Sequence, residues 1–302
     1  MERKTLFVVV GPTAVGKTEL ALRLAERFGT EIVGADSRQI YRDLPIGTAA
    51  PSAAERRRVQ HHLVGTLALT DYYSAACYER DALAAIAAIH ARSSAAVLTG
   101  GSMLYVDAVC RGIDDIPTVR DEVRLEMKRR LEHEGLEALA AELLCLDPDY
   151  YARCDTHNPK RVVHALEICR QTGRTYTSFR RAAMKERPFC IVKIGLDRPR
   201  AELFGRINRR TSEMVEHGWL DEARRVLPFR SENALNTVGY KELFRHFDGE
   251  WTLDFALERI RKNTRVYAKK QLLWFRKDAS VRWFHPDETE AVLGYAEACL
   301  RE

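Results

Sequence analysis

The sequence has no apolar run long enough to cross a bilayer. Its longest candidates are LFVVV at 6–10 and ALAAIAAI at 82–89, whereas a spanning helix needs about 20 apolar residues. No apolar stretch of signal-peptide length follows the charged start at 2–4. Only 17 glycines and 10 prolines occur among 302 residues, which excludes low-complexity and collagen-like classes. We therefore expect one large or two modest globular domains, located in the cytoplasm.

Cysteine is too sparse and too irregular to form a framework. The seven cysteines include no C-x-x-C pair, and their number is odd. This argues against both a disulfide scaffold and a zinc site. We expect reduced thiols, most of them small buried side chains.

The net charge of +5 is unevenly distributed along the chain. Residues 1–117 hold 13 basic and 13 acidic side chains, whereas 118–190 and 191–302 have surpluses of two and three basic ones. Eight basic and no acidic residues lie within 259–277, and nine basic and three acidic ones within 153–187. A neutral front half with two basic clusters behind it favours a polyanionic partner larger than a nucleotide. Solvated helix faces remain an equal alternative.

Strand and helix patterns alternate along residues 6–101. The predicted strands are 6–10, 30–36 and 95–101, and the predicted helices are 18–28 and 79–92. This alternation indicates a parallel sheet covered by helices, and in such sheets ligands bind at the carboxyl ends of the strands. Gly11, Asp36 and the pair Gly100–Gly101 all follow strand ends, so we expect them to meet at one site.

The pattern changes beyond residue 117. Helical spacing covers 119–146 and 158–172, a strand signal returns at 190–197, and helices follow near 200–227 and 252–274. We predict an α/β fold, a P-loop-type parallel sheet flanked by helices, with an inserted helical domain. Residues 1–117 and 190–302 would form the core domain, and 118–189 the insertion.

GPTAVGKT at 11–18 fits the phosphate-loop pattern G-x-x-x-x-G-K-[ST] between a predicted strand and a predicted helix. Its residues are Gly11, Pro12, Thr13, Ala14, Val15, Gly16, Lys17 and Thr18. In such a loop, backbone amides surround a phosphate chain at a helix N-terminus. Lys17 would neutralise phosphate oxygens, and the Thr18 hydroxyl would bind Mg²⁺. The motif predicts a diphosphate or triphosphate ligand without specifying a nucleotide.

Polar side chains follow the next two strand ends. Asp36 suits four roles, namely a magnesium ligand, a ribose ligand, a general base or a structural helix cap. Ser37, Arg38 and Gln39 add donors beside it, and glutamine can bind an adenine edge with two hydrogen bonds. Ser102 follows the glycine pair, where it either contacts the ligand or belongs to a tight turn.

The adjacent histidines at 61–62 resemble a metal site only superficially. Neighbouring side chains point different ways in regular structure, and no carboxylate or cysteine stands at ligand spacing. We therefore expect packing or a partner contact here.

Aromatic and basic residues are interleaved at 236–242 and 263–278. Cations that neutralise phosphates, together with rings that stack on bases, suit RNA binding. For Trp274 and Phe275, burial on the core face of a helix is the favoured alternative.

Together these motifs resemble those of the tRNA dimethylallyltransferases, also called tRNA isopentenyltransferases. The matching blocks run in consistent order over about 6–278: GPTAVGKT, DSRQIY, GTAAPS, HHLVG, LTGGSMLYVDA, NPKRVVHALE, NTVGYKE and YAKKQLLWFRKD. The phosphate loop alone does not separate this family from kinases, whereas DSRQIY, GGSMLY and KKQLLWFR do.

The resemblance implies transfer of a dimethylallyl group from its diphosphate to N6 of adenosine 37, in tRNAs that read codons beginning with U. By motif position, Asp36 would take the N6 proton, and Ser102 would bond near the same base. Arg210, in RINRRTSEMVEHG, would stabilise the leaving diphosphate together with Lys17 and the Mg²⁺ bound by Thr18. Mg²⁺ is thus the implied cofactor, and a monomer is expected.

The resemblance also assigns contacts with the anticodon stem-loop. The target adenine would leave its stack, and Ser37, Arg38 and Gln39 would read it and its neighbours. Contacts with the anticodon arm map to Arg124, Lys160, Arg161, Val238, Gly239, Tyr240 and Lys241. The insertion at 118–189 would close over the stem-loop.

The sequence departs from the family pattern at three positions within these blocks. Ser102 stands where threonine is usual, which keeps the hydroxyl. Ala50 stands where lysine is common, and Leu273 where threonine is common. The C-terminal zinc finger of eukaryotic members has no counterpart, so the resemblance is to the bacterial type.

Three rival functions remain open from the sequence. A phosphate-loop kinase or NTPase would spend ATP, but a small substrate does not require the basic, aromatic C-terminal region. An RNA-binding module with a vestigial loop conflicts with the intact Lys17 and Thr18. An isopentenyltransferase acting on free adenylate would share the chemistry, but the basic insertion and KKQLLWFR favour tRNA.

Overall fold

The computed structural model describes residues 4–180 and 184–301. Its strands are β1 (Thr5–Val10), β2 (Ile32–Gly34), β3 (His61–His62), β4 (Ala95–Thr99), β5 (Cys190–Leu196) and β6 (Val281–Phe284). They form one sheet in the order β3-β2-β4-β1-β5-β6, with every adjacent pair parallel. The parallel sheet predicted from the alternating pattern is confirmed.

β1 lies inside the sheet because its sequence is apolar or β-branched throughout. All six residues of TLFVVV are buried, as expected for a strand covered on both faces. Thr5 pairs with Ala95 of β4 on one side and with Cys190 of β5 on the other. Phe7 belongs to the apolar core on one face, and Leu6 to the core on the opposite face.

The described residues form twelve α-helices, which cover the sheet and build the insertion. They are α1 (Lys17–Arg27), α2 (Ala53–Arg58), α3 (Ala75–His90), α4 (Met103–Arg111), α5 (Asp121–Leu146), α6 (Pro148–Tyr151), α7 (Pro159–Thr172), α8 (Arg200–Glu216), α9 (Trp219–Val226), α10 (Tyr240–Phe247), α11 (Leu253–Phe275) and α12 (Thr289–Arg301). Helices α1, α8 and α12 pack on one face of the sheet, and α3 and α4 on the other. A third apolar cluster joins α9, α10 and α11 to the segment 40–44.

The histidine pair forms β3, a two-residue strand beside β2. The ring Nδ1 of His61 lies 2.8 Å from the Val59 carbonyl, and Nε2 of His62 lies 2.6 Å from Glu31 Oε2. Both rings therefore have structural partners. Across residues 4–180 and 184–301, no group of three or more His, Cys, Asp or Glu is arranged to hold a metal ion.

The contacts divide the chain into unit 1 (Met1–Cys110 with Glu186–Glu302) and unit 2 (Arg111–Lys185). Unit 1 contains the sheet. Unit 2 is helical and has a core of its own, in which Leu139 and Leu143 of α5 pack with Val162 and Leu166 of α7. The basic segment 153–187 includes Arg181, which lies outside the described residues. No helix in the described part of the chain is long and apolar enough to span a bilayer.

Candidate active site

The ends of β2 and β4 are held together by a close backbone approach. Ala35 N donates to the Thr99 carbonyl at 2.7 Å, and Ser102 N donates to the Ala35 carbonyl at 3.1 Å. A Cβ at Gly100 would lie 2.0 Å from the Ala35 carbonyl oxygen, so only glycine permits this contact. Asp36 and Ser102 therefore lie beside one another at the carboxyl edge of the sheet.

The phosphate-loop motif forms the turn between β1 and α1. Gly11 has φ 144° and Gly16 has φ 121°, a region that favours glycine. A Cβ at Gly11 would also lie 2.5 Å from the Leu196 carbonyl oxygen at the end of β5. α1 begins at Lys17, so the loop presents the helix N-terminus, where amides and dipole favour an anion.

The side chain of Lys17 folds back over the first residues of this loop. Its Nζ donates to the carbonyls of Gly11 at 3.0 Å and Pro12 at 2.9 Å. Burial lowers the pKa of Lys17 to about 8; the positive charge of Arg210 lowers it further, and the negative charge of Asp36 opposes both. These three charged groups therefore share one electrostatic site.

Three arginines of the segment 198–210 hold three successive residues of the loop. The donations run from Arg210 Nη2 to Thr13 Oγ1 (2.6 Å), from Arg206 Nε to the Ala14 carbonyl (2.8 Å) and from Arg198 Nε to the Val15 carbonyl (2.9 Å). Burial lowers the pKa of Arg210, and the carboxylate of Asp36 opposes this shift. The loop is thus braced by cations on the side of α8.

Of the four roles that the sequence left open for Asp36, the structure shows the structural cap. Its Oδ1 accepts from Arg38 N at 2.9 Å and Gln39 N at 3.4 Å, which caps the turn after β2. Among the described residues, Oδ2 accepts no hydrogen bond. A Cβ at Gly101 would lie 3.6 Å from that atom. One oxygen is therefore fixed by the backbone while the other is left able to accept a proton.

Ser102 is bonded directly to the residue after Asp36. Ser37 N donates to Ser102 Oγ at 2.7 Å, and Ser102 Oγ donates to Ser37 Oγ at 3.0 Å. The serine thus belongs to a tight turn and also orients the segment that carries the carboxylate.

The polar groups of Arg38 and Gln39 are engaged by the protein's own backbone. Arg38 Nη1 donates to the Asn233 carbonyl at 2.6 Å. Gln39 Nε2 donates to the carbonyls of Thr48 at 3.1 Å and Ala49 at 3.0 Å. Both side chains therefore hold neighbouring loops in place through these donors.

The segment 238–241 opens α10 and is anchored by two buried carboxylates. Tyr240 is fully buried, and its hydroxyl donates to Glu222 at 2.6 Å. Gly239 N donates to Glu242 at 2.7 Å, and Gly239 has φ 106°.

Lys241 is exposed, and its Nζ donates to the Asn236 side chain at 3.0 Å. Val238 is half-buried. Of this segment, the side chain of Lys241 is accessible from outside, whereas that of Tyr240 is enclosed by the fold.

The aromatic residues at the end of α11 divide between core and surface. Phe275 is buried in the core beneath the sheet. Trp274 is 44% exposed, and its Nε1 donates to Asp107 at 3.0 Å. The core-face interpretation therefore holds for Phe275 alone.

The remaining predicted contacts lie in unit 2. Lys160 and Arg161 are exposed in the first turn of α7, directly after its first residue Pro159. Arg124 is half-buried in the first turns of α5.

The Thr18 hydroxyl fits a magnesium ion only if a bound phosphate ligand supplies further oxygen ligands to the same ion. Thr18 is the second residue of α1 and is exposed. Mg²⁺ is commonly held by one or two protein oxygens together with substrate phosphates and water. A single hydroxyl at the end of a phosphate loop matches that mode.

Several residues of this site escaped sequence reasoning. Arg198, Arg206 and Gln271 reach the phosphate loop across the fold, and Glu222 anchors Tyr240. Gln271 is 1% exposed, and its Oε1 accepts from Thr13 N at 2.8 Å. The only sequence signal for it was its place inside KKQLLWFR.

A family model described as IPP transferase matches residues 39–278, most of the chain. The chain therefore belongs to the IPP transferase family, and the resemblance inferred from its motifs is confirmed. It is 60% identical over 291 residues to the tRNA dimethylallyltransferase 1 of Bacteroides thetaiotaomicron, covering 96% of this chain and 94% of that protein. It is 56% identical over 301 residues to that of Bacteroides fragilis, covering 100% of both.

Solved structures agree with this assignment. The crystal structure of a tRNA isopentenylpyrophosphate transferase from Bacillus halodurans is similar with a TM-score of 0.73 and 35% identity. The similarity covers 99% of this chain and 97% of that one.

Proposed function

We propose that the chain transfers the dimethylallyl group of dimethylallyl diphosphate to N6 of adenosine 37 in tRNAs that read codons beginning with U. The observation that carries the proposal is that a braced phosphate loop and a carboxylate meet at one edge of the sheet. Such a site binds a diphosphate leaving group and deprotonates a nucleophile. The 60% identity to a tRNA dimethylallyltransferase over 291 residues supports this reaction.

The donor half of the site binds and stabilises the diphosphate. Breaking the C1–O bond of the donor leaves negative charge on the diphosphate oxygens, and fixed cations and amides stabilise that charge. Lys17 and Arg210 supply the cations, and the loop amides at 14–18 supply donors. When held by the Thr18 hydroxyl and the diphosphate, Mg²⁺ would neutralise part of the same charge.

The acceptor half of the site assists the nucleophile. The lone pair of N6 is delocalised into the adenine ring, so the amine is weakly nucleophilic. As the N6–C1 bond forms, the proton on N6 passes to Asp36 Oδ2, which the turn leaves able to accept it. Ser102 holds the neighbouring backbone in register and hydrogen-bonds near the base.

Binding of tRNA would use basic side chains of both units, three of them exposed and Arg124 half-buried. We assign contacts with the anticodon arm to Arg124, Lys160 and Arg161 in unit 2 and to Lys241 in unit 1. Ser37 would contact the extruded adenine. Arg38, Gln39, Gly239 and Tyr240 would act by fixing the backbone around it, since they bond within the protein. Val238 would act with them through its packing against the third apolar cluster. A monomer acting in the cytoplasm is sufficient for this chemistry.

The test is product analysis with three acceptors. The protein is incubated with dimethylallyl diphosphate, Mg²⁺ and unmodified tRNA, AMP or water, and adducts are located by mass spectrometry. We expect a dimethylallyl adduct on adenosine 37 and none on AMP. Hydrolysis of ATP in a parallel incubation would instead support a phosphate-loop NTPase, and an adduct on AMP alone would support an adenylate isopentenyltransferase.

A further inference from the structure

A continuous line of hydrogen bonds runs from the donor half of the site to the acceptor half. It begins where Arg210 Nη2 donates to Thr13 Oγ1 at 2.6 Å, and Thr13 N then donates to Gln271 Oε1 at 2.8 Å. Gln271 Nε2 donates to the Gly101 carbonyl at 2.8 Å. Gly101 precedes Ser102, which bonds to Ser37. In the middle of this line, the side chain of Gln271 connects the phosphate loop to the turn at Gly101.

The amide of Gln271 suits this position because it offers a donor and an acceptor on one planar group. The residue lies on α11 and is 1% exposed, so neither half of its amide can be replaced by bulk water. A Cβ at Gly101 would lie 2.4 Å from Gln271 Nε2, which shows how closely the turn is drawn onto the amide. Glutamate would lose the donor, and methionine would lose both bonds.

Tyr267, one helical turn earlier on α11, reinforces the acceptor side. Its hydroxyl donates to the same Gly101 carbonyl at 3.2 Å. Burial raises the pKa of Tyr267, and the negative charge of Asp36 raises it further, so the hydroxyl remains protonated and can donate. The Gly101 carbonyl therefore accepts hydrogen bonds from two side chains of α11, those of Tyr267 and Gln271. On the side of the phosphate loop, Thr13 N donates to Gln271.

We propose that Gln271 is a positioning residue that fixes the distance between the phosphate loop and the turn carrying Ser102. This inference rests on the proposed transfer reaction. The reaction requires C1 of the donor and N6 of the acceptor to meet in line, and these two atoms are held by the two halves that Gln271 joins. Loss of the bridge lets the halves shift independently, so productive encounters become rare while each substrate still binds.

The test compares turnover, substrate affinity and stability in Gln271→Met and Gln271→Glu. A displacement of about 1 Å between reacting groups can cost on the order of a hundredfold in rate. We expect kcat to fall between about tenfold and a hundredfold in both variants, with tRNA and donor dissociation constants within about threefold of the wild type. Gln271→Glu keeps the bond from Thr13 N and removes the bond to the Gly101 carbonyl. A loss of kcat in Gln271→Glu as large as that in Gln271→Met therefore assigns the effect to the Gly101 side.

Gln171, a half-buried glutamine, supplies a control for the loss of one accepted and one donated amide hydrogen bond away from the site. It accepts from Arg120 N at 2.7 Å and donates to the Thr118 carbonyl at 2.9 Å, all within unit 2. Gln171→Met should lower the melting temperature without lowering kcat. A double variant of Gln271→Met with Ser102→Ala should lose less rate than the product of the single losses, because both act through one turn.

Two results overturn the inference. One is a kcat for Gln271→Met within twofold of the wild type, about the scatter expected for an independent site. The other is strictly multiplicative losses in the double variant. A wild-type protein that makes no prenylated tRNA would instead refute the proposed function, so the two failures are distinct.

Discussion

At the scale of single residues, the structure uses Asp36 Oδ1 as a cap, and the proposed mechanism assigns proton acceptance to Oδ2. Replacing Asp36 with Ala should lower kcat by about a hundredfold or more, the usual contribution of a general base. Binding of tRNA should change little, since the affinity for RNA comes chiefly from phosphate contacts. Single-turnover rates and filter binding on the same preparation measure both quantities.

Asp43 provides the control for that substitution. It is an exposed carboxylate on the same segment, so Asp43→Ala removes the same charge without removing a proposed base. Equal losses of binding and rate in Asp36→Ala, or an equal rate loss in Asp43→Ala, would contradict the assigned role.

We expect the proposed capture of the donor by Lys17 to depend on pH. Its pKa is lowered to about 8 in the unliganded protein, so the ammonium is charged below that pH and loses its proton as the pH rises through it. The kcat/KM for dimethylallyl diphosphate, which reports the free enzyme, should therefore decline above about pH 8. The bound diphosphate stabilises the ammonium, so kcat should decline only at higher pH.

Lys17→Arg tests the origin of that decline. Arginine stays charged throughout the accessible range, so the variant should be slower but should keep a flat kcat/KM between pH 7 and about pH 10. A decline at the same pH in the variant would assign the titration to another group.

At the scale of elements, the site depends on how closely two strand ends approach. Gly100→Ala would place a Cβ 2.0 Å from a backbone oxygen that cannot move aside. We expect it to lower the free energy of unfolding by about 1–3 kcal/mol or more, and to lower turnover by moving Ser102 away from Asp36. Denaturant unfolding and initial rates measure the two effects.

Gly294→Ala is the matched control. Gly294 lies in α12, and a Cβ there would meet nothing within 4 Å. Alanine should raise the free energy of unfolding by up to about 1 kcal/mol through its helix propensity. A Gly100→Ala variant as stable as Gly294→Ala would show that the strand ends can separate without cost.

The sequence predicted those elements whose signals are local. The run LFVVV and the pattern GPTAVGKT predicted β1 and the phosphate loop. The predicted parallel topology then placed Gly11, Asp36 and the pair Gly100–Gly101 at one edge of the sheet. β3 escaped prediction because two histidines carry no strand signal, and their pairing with β2 is set by the fold.

The residues that brace the site could not be predicted in the same way. Gln271 and Thr13 are 258 positions apart, and Arg206 and Ala14 are 192 apart. Such contacts exist only once α8 and α11 are packed. The exposure of Trp274 and the burial of Phe275 likewise depend on the helix face, which neighbouring positions in the sequence do not settle.

At the scale of the whole molecule, the charge imbalance becomes a prediction about the partner. Lys269 and Lys270 are exposed on α11, within the stretch 259–277 that holds eight basic and no acidic residues. If this surface faces the tRNA backbone, each phosphate contact releases counterions. The affinity for tRNA should then fall steeply with salt.

Replacing both Lys269 and Lys270 with Gln should weaken tRNA binding and reduce the slope of log affinity against log salt by about one to two. Arg23 and Arg80, which are exposed in the charge-neutral front part of the chain, allow a double Gln variant with the same change in net charge. That control should keep the wild-type slope, because a general field effect follows net charge whereas counterion release follows contacts. Equal slopes in the two double variants would remove α11 from the interface and leave its charge as a solvated helix face.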